Sequence, residues 1–179
     1  MTNVAAVYAE ALYSLAKEEE CSEAVLKELS VLRESFAQER DFVRLLSAPN
    51  LTKEERCEVL DSSFRGKVNP YVLNFLKILT EKGYMRHFED CCKEYRAAYN
   101  RDYGILEVCA VTAVSLTADQ KARLTQKLAK VTGKIIDLYN RVDPACLGGI
   151  RLDYDGKRVD DTVSHRLESI GALLKNTVL

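Results

Sequence analysis

No stretch of this sequence approaches the roughly 20 consecutive apolar residues that a bilayer-crossing helix needs. The longest candidate, around Val108 to Leu116, is interrupted by Thr112 and Ser115. Any attachment to a membrane is therefore expected to run through a partner. Net charge is also nearly absent, because 26 basic side chains stand against 27 acidic ones to leave −1. A chain so balanced has no overall field that favours DNA or an anionic lipid surface. Histidine is scarce, with only His87 and His165, and none of the six cysteines falls in a Cys-x-x-Cys pair. That spacing argues against a structural zinc site. His87 precedes Cys91 by one helical turn, but the sequence offers no second pair to complete a metal site from that edge.

Catalytic motifs are missing as well. Gly148-Gly149 lacks the Lys-Ser/Thr of a phosphate loop and the spacing of a dinucleotide fingerprint. Asp153-Tyr154-Asp155-Gly156 opens like a calcium loop without the later acidic ligands. Asp160 and Asp161 suit the start of a helix, where carboxylates cap amides and oppose the macrodipole. No serine lies in an elbow motif. With no constellation of acid, base and nucleophile, an enzyme is disfavoured and no cofactor or metal is expected. The first residues, with acids at Glu10 and Glu18 to Glu20, carry neither a basic, apolar leader nor an Arg-rich transit segment. They read as mature protein.

What the chain does have is the composition of an ordinary globular protein, 47% hydrophobic and 30% charged over 179 residues. That length suits one large domain or two small ones. Without a secretion signal, Cys21, Cys57, Cys91, Cys92, Cys109 and Cys146 are expected to be reduced and mostly buried.

The first hundred residues read as helices. In the first, residues 3–18, only Glu10, Ser14 and Lys17 make a polar stripe, while Val4, Ala5, Tyr8, Ala9, Ala11, Leu12, Leu15 and Ala16 cover the rest. A helix resting on one core needs a narrower apolar face. A second helix, residues 22–37, presents Val25, Leu29, Leu32 and Phe36 to one side, and a short third follows at 41–46 before Pro49. Thr52-Lys53-Glu54-Glu55 is a capping box for a fourth, with Cys57, Leu60 and Phe64 inward and Gly66 at its end. Asn69-Pro70 supplies a cap and a proline at the first position of a fifth helix. Its residues Tyr71, Val72, Leu73, Phe75, Leu76, Ile78 and Leu79 again exceed a simple surface face. Two over-apolar helices in one small bundle can form a groove for a third-party helix. A sixth helix spans about 84–101, with Tyr84, Phe88, Cys91 or Cys92, Tyr95 and Tyr99 on one side.

At Gly104 helical spacing gives way to alternation. Residues 105–113 read as a strand with β-branched enrichment. Thr117-Ala118-Asp119-Gln120 caps a helix with Leu124, Leu128 and Val131 inward. Residues 134–142 alternate again, with Ile136, Leu138 and Val142 to one side, until Pro144 stops the strand. Then comes Leu147-Gly148-Gly149-Ile150-Arg151-Leu152-Asp153-Tyr154-Asp155-Gly156. Ile150, Leu152 and Tyr154 point one way and Arg151 and Asp153 the other. Asp155-Gly156 is a type I′ hairpin signal. Val163, Leu167, Ile170 and Leu174 close the chain at helical spacing. The expected fold is α+β: an N-terminal six-helix bundle over residues 1–104, then a small mixed strand-helix-strand-hairpin-helix domain over 105–179.

The C-terminal run resembles the signature of the delta subunit of F-type ATP synthases, homologous to the mitochondrial oligomycin-sensitivity-conferring protein. That family shows a Gly-Gly, a short hairpin, and an Asp-x-Ser-Val-x-x-x-Leu helix start. Here the run is Asp160-Asp161-Thr162-Val163-Ser164-His165-Arg166-Leu167, with Thr162 in place of the serine. Tyr8-Ala9-Glu10-Ala11-Leu12 is similar to the family's Tyr-Ala-x-Ala-Leu start. Glu81-Lys82-Gly83-Tyr84 departs from its usual Glu-Asn-Gly-Arg, with Tyr84 at the position of the basic residue.

The resemblance implies a non-catalytic peripheral-stalk connector, part of the stator of a proton-translocating ATP synthase. It implies that the helical domain grips the N-terminal helix of an alpha subunit between its first and fifth helices. Ala5, Tyr8, Ala9 and Leu12 with Val72, Phe75, Leu76 and Leu79 are then the expected groove. It implies that the second domain meets the b subunits, for which Ile150, Val159, Val163, Leu167 and Ile170 are the candidates. The chain would be a single copy in a hetero-oligomer at the cytoplasmic face of a bacterial membrane, with no nucleic acid. Two alternatives stay open on the residues alone. One is a generic helical adaptor. The other is an RNA-binding α+β protein using Lys121, Arg123, Lys127, Lys130 and Lys134, although no Gly-x-x-Gly clamp or aromatic sheet motif accompanies them.

Overall fold

The structure, a computed structural model, describes residues 3–46, 51–163 and 165. The chain divides into two compact units, Met1–Tyr99 and Asn100–Leu179. Together they form an α+β protein, mostly helical, with a four-stranded mixed sheet.

The first unit is built from α1 (Asn3–Glu18), α2 (Ser22–Gln38), α3 (Arg40–Leu46), α4 (Lys53–Phe64), α5 (Pro70–Glu81) and most of α6 (Phe88–Asp102). The capping box predicted at Thr52 is formed. Its hydroxyl accepts from the Glu55 amide at 3.2 Å, and the Glu55 carboxylate accepts from the Thr52 amide at 2.8 Å. Asn69 caps α5 by accepting from the Tyr71 amide at 2.9 Å. The Asn69 amide in turn donates to Glu28 of α2 at 2.8 Å, which anchors the entry of α5 to a helix far away in sequence.

One apolar core runs through these helices. Phe36 is central to it, with ring centroids 5.1 Å from Phe88, 5.7 Å from Phe42 and 6.1 Å from Phe64. Tyr95 is fully buried, packs edge-on against Tyr13 and donates its hydroxyl to the Ser22 carbonyl at 3.0 Å. Such a ring contributes both area and a satisfied polar tip. The expected sixth helix is divided at its start. Met85–His87 form a short 3₁₀ turn, and α6 begins only at Phe88. Of its predicted inner face, Phe88, Cys91, Cys92 and Tyr95 are buried, whereas Tyr84 and Tyr99 are half-buried. In α4, Leu60 is buried while Cys57 and Phe64 are only half so.

Between α4 and α5, Lys77 reaches Asp61 at 2.7 Å and Arg65 reaches it at 3.4 Å. The hydrogen bond from Lys77, then the Arg65 charge, hold the Asp61 carboxyl below its ordinary value near 3.8. A depressed carboxylate contributes stability above the unfolded value, and that contribution is lost as pH falls through the folded one. Asp61→Asn is therefore expected to flatten the acid limb of a stability–pH curve below about pH 4. Urea melts of both proteins across that range check it; parallel curves would reject the assignment.

The second unit holds β1 (Ile105–Thr112), α7 (Ala118–Thr132), β2 (Ile135–Val142), β3 (Ile150–Tyr154) and β4 (Lys157–Asp160). Sheet order is β2-β1-β3-β4, with β1 parallel to β2 and antiparallel to β3. The hairpin turn is as the dipeptide requires, with Asp155 at φ 47° and Gly156 at φ 69°. Asn140 braces β1: its amide donates to Ala110 O at 2.7 Å and to Thr112 Oγ1 at 2.9 Å, and its oxygen accepts from the Leu116 amide at 2.8 Å.

One expectation fails here. Val131 is 85% exposed, because the half-buried face of α7 is rotated toward Thr125, Leu128 and Thr132. Val142 lies on the same side of β2 as Ile136 and Leu138, as expected, and is exposed at the end of this edge strand. The closing helix predicted through Leu167, Ile170 and Leu174 lies outside the described residues. Its cap is present: the buried Thr162 accepts from the His165 amide at 3.2 Å.

Candidate docking surface

Helical geometry sets α1 as two apolar stripes, not one. Ala5, Ala9, Leu12, Tyr13 and Ala16 are buried in the core of the first unit. A second stripe, Val4, Val7, Ala11 and Leu15, follows i, i+3, i+7, i+11 spacing on the outer side. It faces solvent, with Val7 56% and Leu15 36% exposed and Val4 half-buried. Four apolar side chains on an outward helix face are costly to leave in water and suit a partner's surface.

α5 packs against α1 and has outward apolar residues of its own. Tyr71 and Ile78 of α5 are half-buried on its outer side, about 20° apart on the helical wheel and flanking Asn74. The two helices are tied at both ends. Tyr8 packs on Tyr84 with ring centroids 6.0 Å apart, and Tyr84 lies 6.3 Å from His87. At the other end Tyr71 hydrogen-bonds Glu19, which pushes the phenol's pKa up.

The eight residues expected to line a groove fall almost wholly beneath this surface. Ala5, Ala9, Leu12, Val72, Phe75, Leu76 and Leu79 are buried within the chain itself, and only Tyr8 reaches solvent in part. Their side chains are occupied by intramolecular packing. Sequence reasoning counted Val4, Ala11 and Leu15 among the apolar residues of α1 but omitted Val7, and it could not say which half of a largely apolar helix turns inward.

In the second unit, Ile150 is half-buried, Val159 is 50% exposed and Val163 is 43% exposed. Ile150 pairs with Thr112 of β1, and Val159 with Leu152 of β3, so these side chains share one face of the sheet. Leu167 and Ile170 lie outside the described residues.

Groups that might have carried chemistry are otherwise engaged. His87 accepts from Arg86 at 3.1 Å and sits 3.9 Å from Asp90. Burial pushes the Cys91 thiol up to about 11 and the Cys92 thiol up to about 12, so both stay protonated and unreactive. Asp153 accepts from Arg158 at 2.7 Å and lies 3.4 Å from Arg151, the pairing a hairpin needs. Among the described residues no three His, Cys, Asp or Glu side chains are placed to hold a metal, and no helix is long and apolar enough to cross a membrane.

A helical unit with an outward apolar stripe, followed by a small mixed-sheet unit, fits the class of docking proteins. The family model for the ATP synthase delta (OSCP) subunit matches residues 4–174, and the chain belongs to that family. It is accordingly a structural subunit of the F-type ATP synthase peripheral stalk and not a catalytic one. Its relatives include ATP synthase subunit delta of Alkaliphilus oremlandii, 34% identical over 91% of each chain. The same subunit of Lactobacillus gasseri is 33% identical, covering 93% of this chain and 92% of that one. In fold, the chain is similar to one in the cryo-EM structure of the Toxoplasma gondii mitochondrial ATP synthase hexamer. That match has a TM-score of 0.76 at 19% identity and covers 97% of this chain and 98% of the other. Nothing in these matches favours a generic adaptor or an RNA-binding protein.

Proposed function

We propose that this chain joins the catalytic head of a proton-translocating ATP synthase to its peripheral stalk by two separate surfaces. Residues 1–104, as a six-helix bundle, take an amphipathic helix at the N-terminus of an alpha subunit. Residues 105–179, as a strand-helix-strand-hairpin-helix domain, meet the b subunits. The observation that carries the first half is the outward stripe Val4, Val7, Ala11 and Leu15 beside Tyr71 and Ile78. Of the eight expected groove residues, Ala5, Ala9, Leu12, Val72, Phe75, Leu76 and Leu79 support that stripe from below, and the half-buried Tyr8 reaches solvent at its side. A helix laid along it would bury apolar side chains at i, i+3, i+7 and i+11, which is the helix-in-groove mode. For the stalk contact, Val159 and Val163 are exposed apolar positions flanking Ile150, with Leu167 and Ile170 following in sequence. As one copy in a hetero-oligomer, the chain reaches the cytoplasmic face of the membrane only through its partners.

Leu15→Glu tests the alpha-subunit surface. A charge placed in a desolvated apolar contact costs several kcal/mol, so helix binding is expected to weaken at least about a hundredfold. Folding should change little, because Leu15 is over one-third exposed at 36%. The measurement is tagged purification in mild detergent with identification of co-purifying subunits. Loss of alpha with retention of b is expected; unchanged recovery of alpha would discard this surface.

A further inference from the structure

Among the described residues β2 is an edge strand of the sheet. β2 pairs with β1 along its whole length and has no strand on its other side among the described residues. The Ile135 amide donates to Gly104 O at 3.0 Å and the Asp143 amide to Thr112 O at 2.9 Å, so the odd-numbered amides point at β1. The period of a strand then turns the N–H and C=O groups of Ile136, Leu138, Asn140 and Val142 outward. Proteins blunt such an edge with proline, a bulge or charged side chains; of these, β2 carries charge, of both signs, at Asp137 and Arg141. Ile135–Val142 has no proline and pairs in unbroken register. Its odd-numbered face exposes Ile135 by 64% and Tyr139 by 55%.

That same face carries two charges without a counter-ion. Asp137 lies opposite Glu107 on β1, a like charge, and Arg141 lies opposite Val111. Neither makes an ion pair among the described residues. A strand that completes this edge in antiparallel fashion must bring a cation to Asp137 and an anion to Arg141, four residues apart. β2 itself, turned end for end about Tyr139, supplies that pattern.

We propose that two copies of this chain pair through their β2 edges into one continuous antiparallel sheet, centred on Tyr139 facing Tyr139 of the other copy. In that register Asp137 meets Arg141 twice, once on each side of the two-fold axis. Leu138 falls opposite Asn140, and Ile136 opposite Val142, as hydrogen-bonded pairs. Every outward amide of both strands then has an acceptor. Tyr139 and the Asp137–Arg141 pairs fall in the non-hydrogen-bonded positions, where facing side chains come closest. The contact is isologous and closes on itself, so it stops at a dimer and gives no filament. It describes the chain outside the synthase, where a bare edge would otherwise invite non-specific pairing.

Sedimentation equilibrium of the full-length chain, at concentrations up to about 100 μM, is the test. A small interface of this kind is expected to give a Kd on the order of 10 μM, weakening as salt rises. Asp137→Arg alone and Arg141→Asp alone place like charges face to face. Each is expected to weaken the dimer at least about tenfold. The double variant D137R/R141D restores opposite charges and should return within about threefold of the parent. Both side chains are exposed, so circular dichroism should be unchanged in all three. As a second readout, exchange of the Ile136, Leu138, Asn140 and Val142 amides should slow as protein concentration increases. A monomer throughout the range, a dimer indifferent to the single swaps, or a double variant no better than either single would overturn the proposal. Since stalk membership is measured by co-purification, the two readings fail separately.

Discussion

Gly149→Ala is expected to destabilise the second unit by about 3 kcal/mol or more, far beyond an ordinary glycine substitution. Two penalties coincide at this residue. Its φ of 78° lies where a side chain is disfavoured, which alone costs about 1 kcal/mol. A Cβ there would also be driven into the backbone carbonyl of Asp161 and lie 3.0 Å from the Thr162 Cα. That backbone has no freedom to retreat. The Asp161 amide donates to Ile150 O at 3.0 Å, and the Val163 amide donates to Gly148 O at 3.0 Å. Thr162 between them is buried and bonded to Asp160 at 2.7 Å. The neighbouring glycines act as controls. Gly156→Ala shares the strained conformation, at φ 69°, but meets nothing within 4 Å and should cost about 1 kcal/mol. At Gly148 a Cβ would find only the Val163 Cγ2 at 3.4 Å, so Gly148→Ala should fall within about 0.5 kcal/mol of the parent. Urea denaturation followed by circular dichroism ranks the three. Equal shifts for Gly149→Ala and Gly156→Ala would refute the backbone clash.

Leu76→Ala is expected to cost the helical unit about 3 kcal/mol, within the usual range for emptying a core site. Leu76 is fully buried, as are Val72 and Leu79 on the same face of α5. Removing its side chain leaves a void among helices held in place by their neighbours. Leu15→Ala, at 36% exposure, should change stability by no more than about 0.5 kcal/mol. The comparison separates core from surface directly. If Leu76→Ala left the thermal midpoint untouched while weakening recovery of the alpha subunit, Leu76 would be groove after all. A drop of roughly 10 °C or more, on the scale of a unit this size, places it in the core.

The punctuation of the chain was legible in advance because its causes are local. Thr52, Thr117 and Asn69 cap helices through bonds within a few residues of themselves. Asp155-Gly156 turns the hairpin because two adjacent residues accept positive φ. A paired glycine before a strand reads as a need for permissive backbone geometry. Its reason, the passage of the Asp161 backbone against Gly149, involves residues twelve positions apart and appears only in three dimensions. The 3₁₀ turn at Met85–His87 was missed because its side chains fit a continuous helical pattern equally well.

The docking surface divides the same way. The sequence pattern shows that α1 and α5 carry more apolar side chains than a helix resting on one core needs, an excess that suits a partner. The family resemblance implied a groove on Ala5, Tyr8, Ala9, Leu12, Val72, Phe75, Leu76 and Leu79, of which all but Tyr8 are buried within the chain. The remainder, Val4, Val7, Ala11 and Leu15, is what stays available. Periodicity has no origin: it states that apolar residues share a face without stating toward what.

By itself, then, the sequence determined the α+β class, the caps and turns, and the family signature around Gly148-Gly149. Each of these depends on near neighbours or on residue identity. Only the tertiary structure decided which apolar stripe of α1 is buried, that Val131 and Val142 face solvent, and that β2 is left as an open edge carrying Asp137 and Arg141. Those outcomes depend on which helix or strand arrives beside each residue, and burial belongs to that encounter rather than to either segment alone.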